Sequence, residues 1–94
     1  MTTVTVRIPT PLRRFTDGAN EVDVEGRNVG EVLSALAQQY QDLVNRILTE
    51  DGTVRQFVTI YLGSEDVRNL EGMDTSVSEG DVLSIIPAVA GGAG

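Results

Sequence analysis

A single helix-like stripe limits what this chain can fold into. Among its 94 residues, only the stretch from Val29 to Leu48 spaces its apolar residues three and four positions apart, the spacing that lines one face of a helix. Most other apolar residues alternate with polar ones, as in strands with one buried face. A helix with one apolar face must cover a hydrophobic surface, and here only a sheet can supply it. The sequence therefore predicts a two-layer α+β domain.

The start of this helix is marked by its own side chains. Asn28 is a predicted N-cap, because its side-chain oxygen can accept from the amides of the first turn. Glu31 lies three residues later, where a capping-box partner belongs and where the helix dipole favours negative charge. We expect the main helix to end near Tyr40, with Asp42 capping a second short turn. One longer helix is the alternative.

Five segments have the composition or alternation of strands. They are Val4–Ile8, Asn20–Val24, Arg55–Leu62, Glu65–Arg68 and Val82–Ile86. Gly63-Ser64 suits a tight hairpin between the third and fourth strands. The loop after the fourth strand is expected to place Leu70 and Met73 in the core.

The resulting order is β-β-α-β-β-β, which is the β-grasp arrangement: a mixed sheet packed on one main helix. We expect the first and last strands to lie side by side and parallel at the centre of the sheet, because they are among the most apolar segments. The β-grasp domain is predicted to span residues 1–87, followed by a flexible C-terminal tail over 88–94.

Composition excludes several classes of function. The chain contains no cysteine and no histidine, which removes the commonest nucleophile–base pairs, the usual zinc sites and disulfides. Its net charge is −7, and all seven cations are arginines, so a basic face for nucleic acid is not expected. We predict a protein that is not an enzyme, with no catalytic residue and no metal site. Without an apolar span or signal peptide, it is expected to be soluble and cytoplasmic.

Adjacent carboxylates invite a catalytic interpretation that the sequence does not favour. The pairs Glu50/Asp51 and Glu65/Asp66 both fall at predicted turns, where solvated charge is normal. A domain of this size is also not expected to enclose a useful pocket. Asp81 follows Gly80 in a turn and is predicted to accept hydrogen bonds from the local backbone.

Two aromatic residues are candidates for contact with a partner. Phe57 and Tyr61 share one face of the predicted third strand. If that face lies opposite the helix, they form an exposed docking patch; otherwise they lie under a loop as a satellite of the core. Arg13 and Arg14 could also contact a partner, but a solvated turn is the simpler interpretation.

The C-terminal tail is small, uncharged and nearly free of side chains. Gly91 and Gly92 carry no Cβ, so they can pass through a channel too narrow for other residues, with Ala90 just before them. One interpretation is a carrier tail whose glycine carboxylate is modified by other proteins. The other is a frayed chain end, which is common and without function.

The end of the chain resembles the ubiquitin-like sulfur carriers, which include the small subunit of molybdopterin synthase and the thiamin sulfur carrier. The resemblance rests on a Gly80-Asp81 turn before the last strand and on Pro87 followed by Ala88-Val89-Ala90-Gly91-Gly92. Val6-Arg7-Ile8-Pro9-Thr10 and Phe57-Val58-Thr59-Ile60-Tyr61 look most like the carrier of the protein-thiocarboxylate route to cysteine.

The resemblance implies a chemistry for the tail. An E1-like enzyme would use ATP to adenylate the carboxylate of Gly92, and sulfide or a persulfide would displace AMP to leave a thiocarboxylate. In the cysteine route a pyridoxal-phosphate-dependent synthase would hold the acceptor, an activated serine. The carrier would itself bind no cofactor. Sulfur donation to molybdopterin or thiamin, or service as a ubiquitin-like protein modifier, are the alternatives.

The chain departs from this family at its last two residues. Active carriers end at the second glycine, here Gly92, yet Ala93 and Gly94 follow. Some relatives carry such extra residues and are matured by a zinc-dependent metalloprotease of the JAMM type. We expect Ala93-Gly94 to be removed in the same way. Adenylation of Gly94 itself, or an origin of these two residues outside the natural sequence, are the alternatives.

Overall fold

The computed structural model describes residues 2–87. Within this range the strands are β1 (Thr3–Arg7), β2 (Glu21–Glu25), β3 (Val58–Leu62), β4 (Glu65–Asp66) and β5 (Val82–Pro87). The helices are α1 (Val29–Gln39) and α2 (Gln41–Ile47), with three 3₁₀ helices at Thr10–Thr16, Val67–Asn69 and Gly72–Asp74. The predicted tail, residues 88–94, lies outside the described residues.

The five strands form one mixed sheet in the order β2-β1-β5-β3-β4. β1 and β5 are parallel neighbours at its centre, and every other pair is antiparallel. Val4 and Val6 on β1, and Leu83 and Ile85 on β5, are almost completely buried. These residues pack with the apolar stripe of α1 in a single core. The predicted β-grasp fold, with its parallel central pair, is confirmed.

Helix α1 begins as its sequence predicts, with one change in detail. The side chain of Asn28 accepts from the amide of Glu31 at 2.8 Å. The carboxylate of Glu31 accepts from the amide of Arg27 at 2.9 Å, one residue before the position that a standard capping box would use. The first contact satisfies an amide that the helix itself leaves unpaired, and the second ties Glu31 to the residue before the N-cap. The helix start is therefore fixed by local chemistry.

Helix α1 ends next to Tyr40, as predicted, but Asp42 does not have its predicted capping role. The chain changes direction at Tyr40. The amide of Tyr40 donates a hydrogen bond to the carbonyl of Leu36 and so caps α1. Asp42 lies in the first turn of α2 and caps nothing, since no side chain forms the N-cap bond of that helix. The new direction brings α2 against the 3₁₀ helix at Thr10–Thr16 and buries Leu43 and Ile47 completely. Tertiary packing therefore decides this boundary.

Three other predictions were wrong in detail. The third strand begins at Val58 instead of Arg55, because the amide of Val58 bonds back to the carbonyl of Arg55 in a turn. The fourth strand contains only Glu65–Asp66, since Val67 begins a 3₁₀ helix and is itself buried. Leu70 is exposed rather than in the core, whereas Met73 packs against the core as predicted.

Gly26 occupies a position where a side chain would collide with α1. A Cβ atom there would lie 2.7 Å from the amide nitrogen of Val32 and 2.9 Å from its Cγ2. We expect Gly26→Ala to lower the free energy of unfolding by about 2–3 kcal/mol, because the helix must shift to relieve the overlap. Urea denaturation measures this change.

Gly30 provides the matched control for this prediction. A Cβ atom at Gly30 would meet its nearest neighbour, the carbonyl oxygen of Met73, at 3.4 Å, and the residue lies inside α1. Gly30→Ala should therefore keep or raise stability by up to about 1 kcal/mol. Equal stabilities for the two variants would contradict the close approach at Gly26.

Candidate functional site

The candidate site lies where the central strand β5 leads into the tail. Pro87 is the last residue of β5, and it is paired with Val58, the first residue of β3. β5 is held on both sides, by β1 and by β3. The residues that would carry the chemistry, Gly91 and Gly92, lie outside the described residues, as do Ala90 and the predicted processing site at Ala93-Gly94. The described fold therefore fixes the base of the tail at the middle of the sheet.

One face of the sheet carries the helices, and the other is open. On the open face Tyr61 lies opposite Ser84, and Thr59 lies opposite Ile86. Tyr61, Ser84 and Ile86, together with Gly63, line one shallow depression. We call Tyr61, Ser84 and Ile86 the open-face patch. It combines an aromatic ring and an aliphatic side chain, the composition of many protein interfaces.

The two aromatic candidates occupy different positions. Phe57 is in the turn before β3, so it does not share the strand face with Tyr61, as the sequence had suggested. It is 59% exposed, and Ile86 is 49% exposed. Tyr61 is half-buried. The alternative in which both aromatics are covered by a loop is wrong for Phe57; a docking role for either stays a prediction.

Ile86 is the candidate that sequence reasoning missed. It follows Ile85, and neighbouring residues in a strand point to opposite faces of a sheet. Ile85 is 1% exposed and belongs to the core, so Ile86 must face the open side. The Ile-Ile pair was therefore a usable signal, since one of its members had to be exposed.

One carboxylate of each adjacent pair, Asp51 and Asp66, is engaged in local hydrogen bonds. Three bonds from Arg68 to Asp66, the shortest at 2.8 Å, together with the amide of Arg68, hold the pKa of the Asp66 carboxyl below its usual value. A hydrogen bond from the Thr49 hydroxyl does the same for the pKa of Asp51, assisted by bonds from Thr53. Both groups stabilise turns in their charged form, which does not suit general acid catalysis.

Asp81 also has the role that its sequence context predicts. Its carboxylate accepts from the amide of Ser78 at 2.8 Å, and this bond closes the turn before β5. Within the range 2–87, no group of three or more acidic side chains is arranged to hold a metal ion. Neither α1 nor α2 is long and apolar enough to cross a membrane.

The described residues form a β-grasp domain whose central strand ends at Pro87, where the glycine-rich end of the sequence begins. A sequence model of the ThiS family matches residues 6–92. The chain belongs to the ThiS family of ubiquitin-like sulfur carriers. Members of this class are carriers and not themselves enzymes, as the sequence predicted.

Three relatives place the chain more closely within this class. The sulfur carrier protein CysO of Mycobacterium tuberculosis is 42% identical over 91 residues, covering 95% of this chain and 98% of CysO. Its crystal structure has a TM-score of 0.85. CysO in the BexX/CysO complex of Amycolatopsis orientalis is 38% identical, with a TM-score of 0.87, covering 94% of this chain and 98% of that one. Small archaeal modifier protein 3 of Haloferax volcanii is 41% identical over 64 residues, covering 68% of each chain.

Proposed function

We propose that this protein is a sulfur carrier whose Gly92, exposed by removal of Ala93-Gly94, becomes a thiocarboxylate and donates its sulfur to cysteine biosynthesis. The observation that carries the proposal is the extent of the family match, which begins at Val6 and ends at Gly92. The identity with CysO over nearly the whole chain supports the cysteine route in particular. A JAMM-type zinc metalloprotease is the proposed processing enzyme.

Activation requires an E1-like enzyme and ATP, because a carboxylate is a poor electrophile. A carboxylate oxygen of Gly92 attacks the α-phosphorus of ATP, and pyrophosphate leaves. Hydrosulfide then attacks the carbonyl carbon of the acyl adenylate, and AMP departs with the oxygen that linked it to the carbonyl. The product is a thiocarboxylate that still carries one of the original oxygens. Every bond is made or broken on the partner enzyme, so the carrier needs no nucleophile or base of its own.

Sulfur transfer uses the nucleophilic sulfur of this thiocarboxylate. On a pyridoxal-phosphate-dependent synthase, it forms a bond to the β-carbon of an activated serine as the activating group leaves. Hydrolysis of the resulting adduct releases the amino acid and regenerates the Gly92 carboxylate. Throughout, the tail must reach into enzyme sites while the domain stays outside. The open-face patch and Phe57 are the proposed docking surface for the activating enzyme.

The test compares two forms of the chain, one ending at Gly92 and one ending at Gly94. Each is incubated with the host's E1-like enzyme, ATP and sulfide, and its intact mass is measured. The form ending at Gly92 is expected to gain one oxygen-to-sulfur exchange, and the form ending at Gly94 to remain a carboxylate. Thiocarboxylation of the longer form alone would mean that Gly94 is the reactive end.

The relationship to small archaeal modifier protein 3 favours one second candidate, a protein modifier. The same activation would then end in an isopeptide bond between the terminal glycine and a lysine of a target protein. The chain has no lysine, so it could not readily form lysine-linked chains of itself. Immunoblots of host lysate distinguish the two functions, because a modifier gives a ladder of conjugates and a dedicated sulfur carrier gives a free band.

A further inference from the structure

The seven arginines of this acidic chain fall into two groups with different contacts. Three form ion pairs: Arg7 with Glu21, Arg27 with Glu31 and Arg68 with Asp66. The other four form no ion pair with any residue in the range 2–87, although the chain has 14 acidic residues. These four are Arg13, Arg14, Arg46 and Arg55. We call these four arginines and Phe15 the basic collar.

The basic collar lies at the end of the domain from which the tail departs. Arg13 donates from its Nε atom to the carbonyl of Ile8, 3.0 Å away, just beyond the end of β1. Because β1 and β5 are parallel, this is also the end at which β5 finishes. Arg55 comes three residues before Val58, which pairs with Pro87 at the start of the tail. Arg13 and Arg55 therefore lie toward the end of the domain at which β5 finishes, and Arg46 lines the same depression as Arg55.

Contacts within the domain hold these guanidinium groups in place without neutralising them. The Cζ atoms of Arg14 and Arg46 lie 4.9 and 5.1 Å from the centre of the Phe15 ring, within the range of cation–π attraction. Arg55 donates from Nε to the carbonyl of Asn45 at 3.0 Å. Such contacts orient the planar guanidinium groups and leave their terminal nitrogens free to form paired bonds with carboxylate or phosphate oxygens.

Two features of the surroundings indicate which anion the collar suits. The outer face of β2 carries Glu21, Asp23 and Glu25, and Asp42 lines the same depression as Arg46 and Arg55. These acids, with the net charge of −7, would repel the long phosphate backbone of a nucleic acid. A small group of carboxylates on a protein surface can contact the collar without approaching these acidic residues. Arginines beside exposed apolar residues such as Phe57 also have the composition of a protein interface.

We propose that the basic collar binds an acidic rim around the active site of the E1-like partner that activates the tail. The inference rests on the proposed function in one respect, that the tail enters a partner's site. Attraction between the collar and the rim would speed encounter and align the tail with the entrance, since complementary charge acts mainly on the association rate. Arg13 and Arg14 would then be contact residues. From the sequence alone, a solvated turn was the simpler interpretation of this pair.

The first test measures pyrophosphate release by the host's E1-like enzyme, with the parent and every variant ending at Gly92. Replacing two collar residues in R14Q/R46Q should lower kcat/KM roughly tenfold at low salt, leave kcat at saturating carrier unchanged and flatten the salt dependence. R14K/R46K keeps the charge and should retain most of the activity. The matched control is R27Q, since Arg27 is similarly exposed but is ion-paired at the junction of β2 and α1. Equal kcat/KM for R14Q/R46Q and the parent would overturn the proposal.

The second test needs no activating enzyme. Nuclear magnetic resonance detects the Nε–H signals of the arginines, of which this chain has seven, during titration with a polyglutamate peptide. The signals of Arg13, Arg14, Arg46 and Arg55 should shift while that of Arg27 does not. Uniform shifts, or none, would overturn the proposal, and tighter binding of a DNA oligonucleotide of equal charge would assign the collar to nucleic acid instead.

The two tests separate failure of the collar from failure of the proposed function. If the parent protein releases no pyrophosphate with the E1-like enzyme, the proposed activation fails, and the titration alone decides whether the collar recognises carboxylates. If the parent is activated and R14Q/R46Q matches it at every salt concentration, activation stands and the collar has no role in it.

Discussion

Replacing Gly91 with valine is expected to lower the rate of adenylation at Gly92 by at least about 100-fold, in a chain that ends at Gly92. The branched side chain adds bulk and restricts the backbone at the position just before the reacting carboxylate. The carboxylate must lie in line with the α-phosphorus of ATP, so a small displacement has a large effect on rate. Pyrophosphate release at saturating ATP measures the change.

Ala88→Val is the matched control for Gly91→Val. It also introduces a valine into the tail, but next to Pro87 and four residues from Gly92, where the proposed channel need not be narrow. Its adenylation rate should stay within a few-fold of the parent. Both variants should unfold at the same urea concentration as the parent, because the core lies within residues 4–85. Normal adenylation of Gly91→Val would show that the glycine pair is not needed for threading.

The second large effect is expected at Ile85. This side chain is 1% exposed and lies on the central strand, so Ile85→Ala should lower the free energy of unfolding by about 3–4 kcal/mol. Such a loss is a large part of the total stability of a small domain. Urea denaturation followed by circular dichroism measures it. A loss below about 1 kcal/mol would mean that the core tolerates the cavity.

Ile86 next to it should show the opposite pattern. It is 49% exposed, so Ile86→Ala should change stability by less than about 1 kcal/mol. If the open-face patch docks the activating enzyme, the same variant should lower kcat/KM for adenylation roughly tenfold. The variants Ile85→Ala and Ile86→Ala thus test folding and docking separately at neighbouring positions. Unchanged kinetics in Ile86→Ala would contradict the docking role of the patch.

The features predicted well from sequence are those set by local patterns. Alternation places Val4, Val6, Leu83 and Ile85 on the helix-covered face, and the apolar character of β1 and β5 favours the centre of the sheet. The cap at Asn28 is likewise a short-range contact. Such signals depend on a few neighbouring residues, so they can be read before the fold is known.

The features that were missed depend on contacts between distant segments. The sequence predicts the break near Tyr40, but it does not show that α2 continues to Ile47 and packs on the 3₁₀ helix at Thr10–Thr16. The sequence pattern does not predict that 3₁₀ helix, because Pro9 and Pro11 indicate only the interruption of a strand. Helix propensity alone does not determine the extent of α2 or the segment that it packs against.

The candidate site also has one part that the sequence predicts and one part that only the fold shows. The glycines of the tail and the identity of the family follow from a short stretch of sequence around Pro87. The basic collar does not, because its arginines lie between positions 13 and 55 and meet only in the folded domain. The net charge does not indicate the collar either, since the chain as a whole is acidic. A local cluster of one sign within a domain of the other is a feature of the fold.

The intact mass of the protein purified from its native host under sulfur-limited growth shows whether Gly92 becomes a thiocarboxylate. A sulfur carrier should give a species that ends at Gly92 and is heavier than the corresponding carboxylate by one exchange of oxygen for sulfur. Alkylation of the thiocarboxylate should add one label to this species and none to the carboxylate form. A population consisting only of the unmodified carboxylate ending at Gly94 would contradict both the processing and the carrier chemistry.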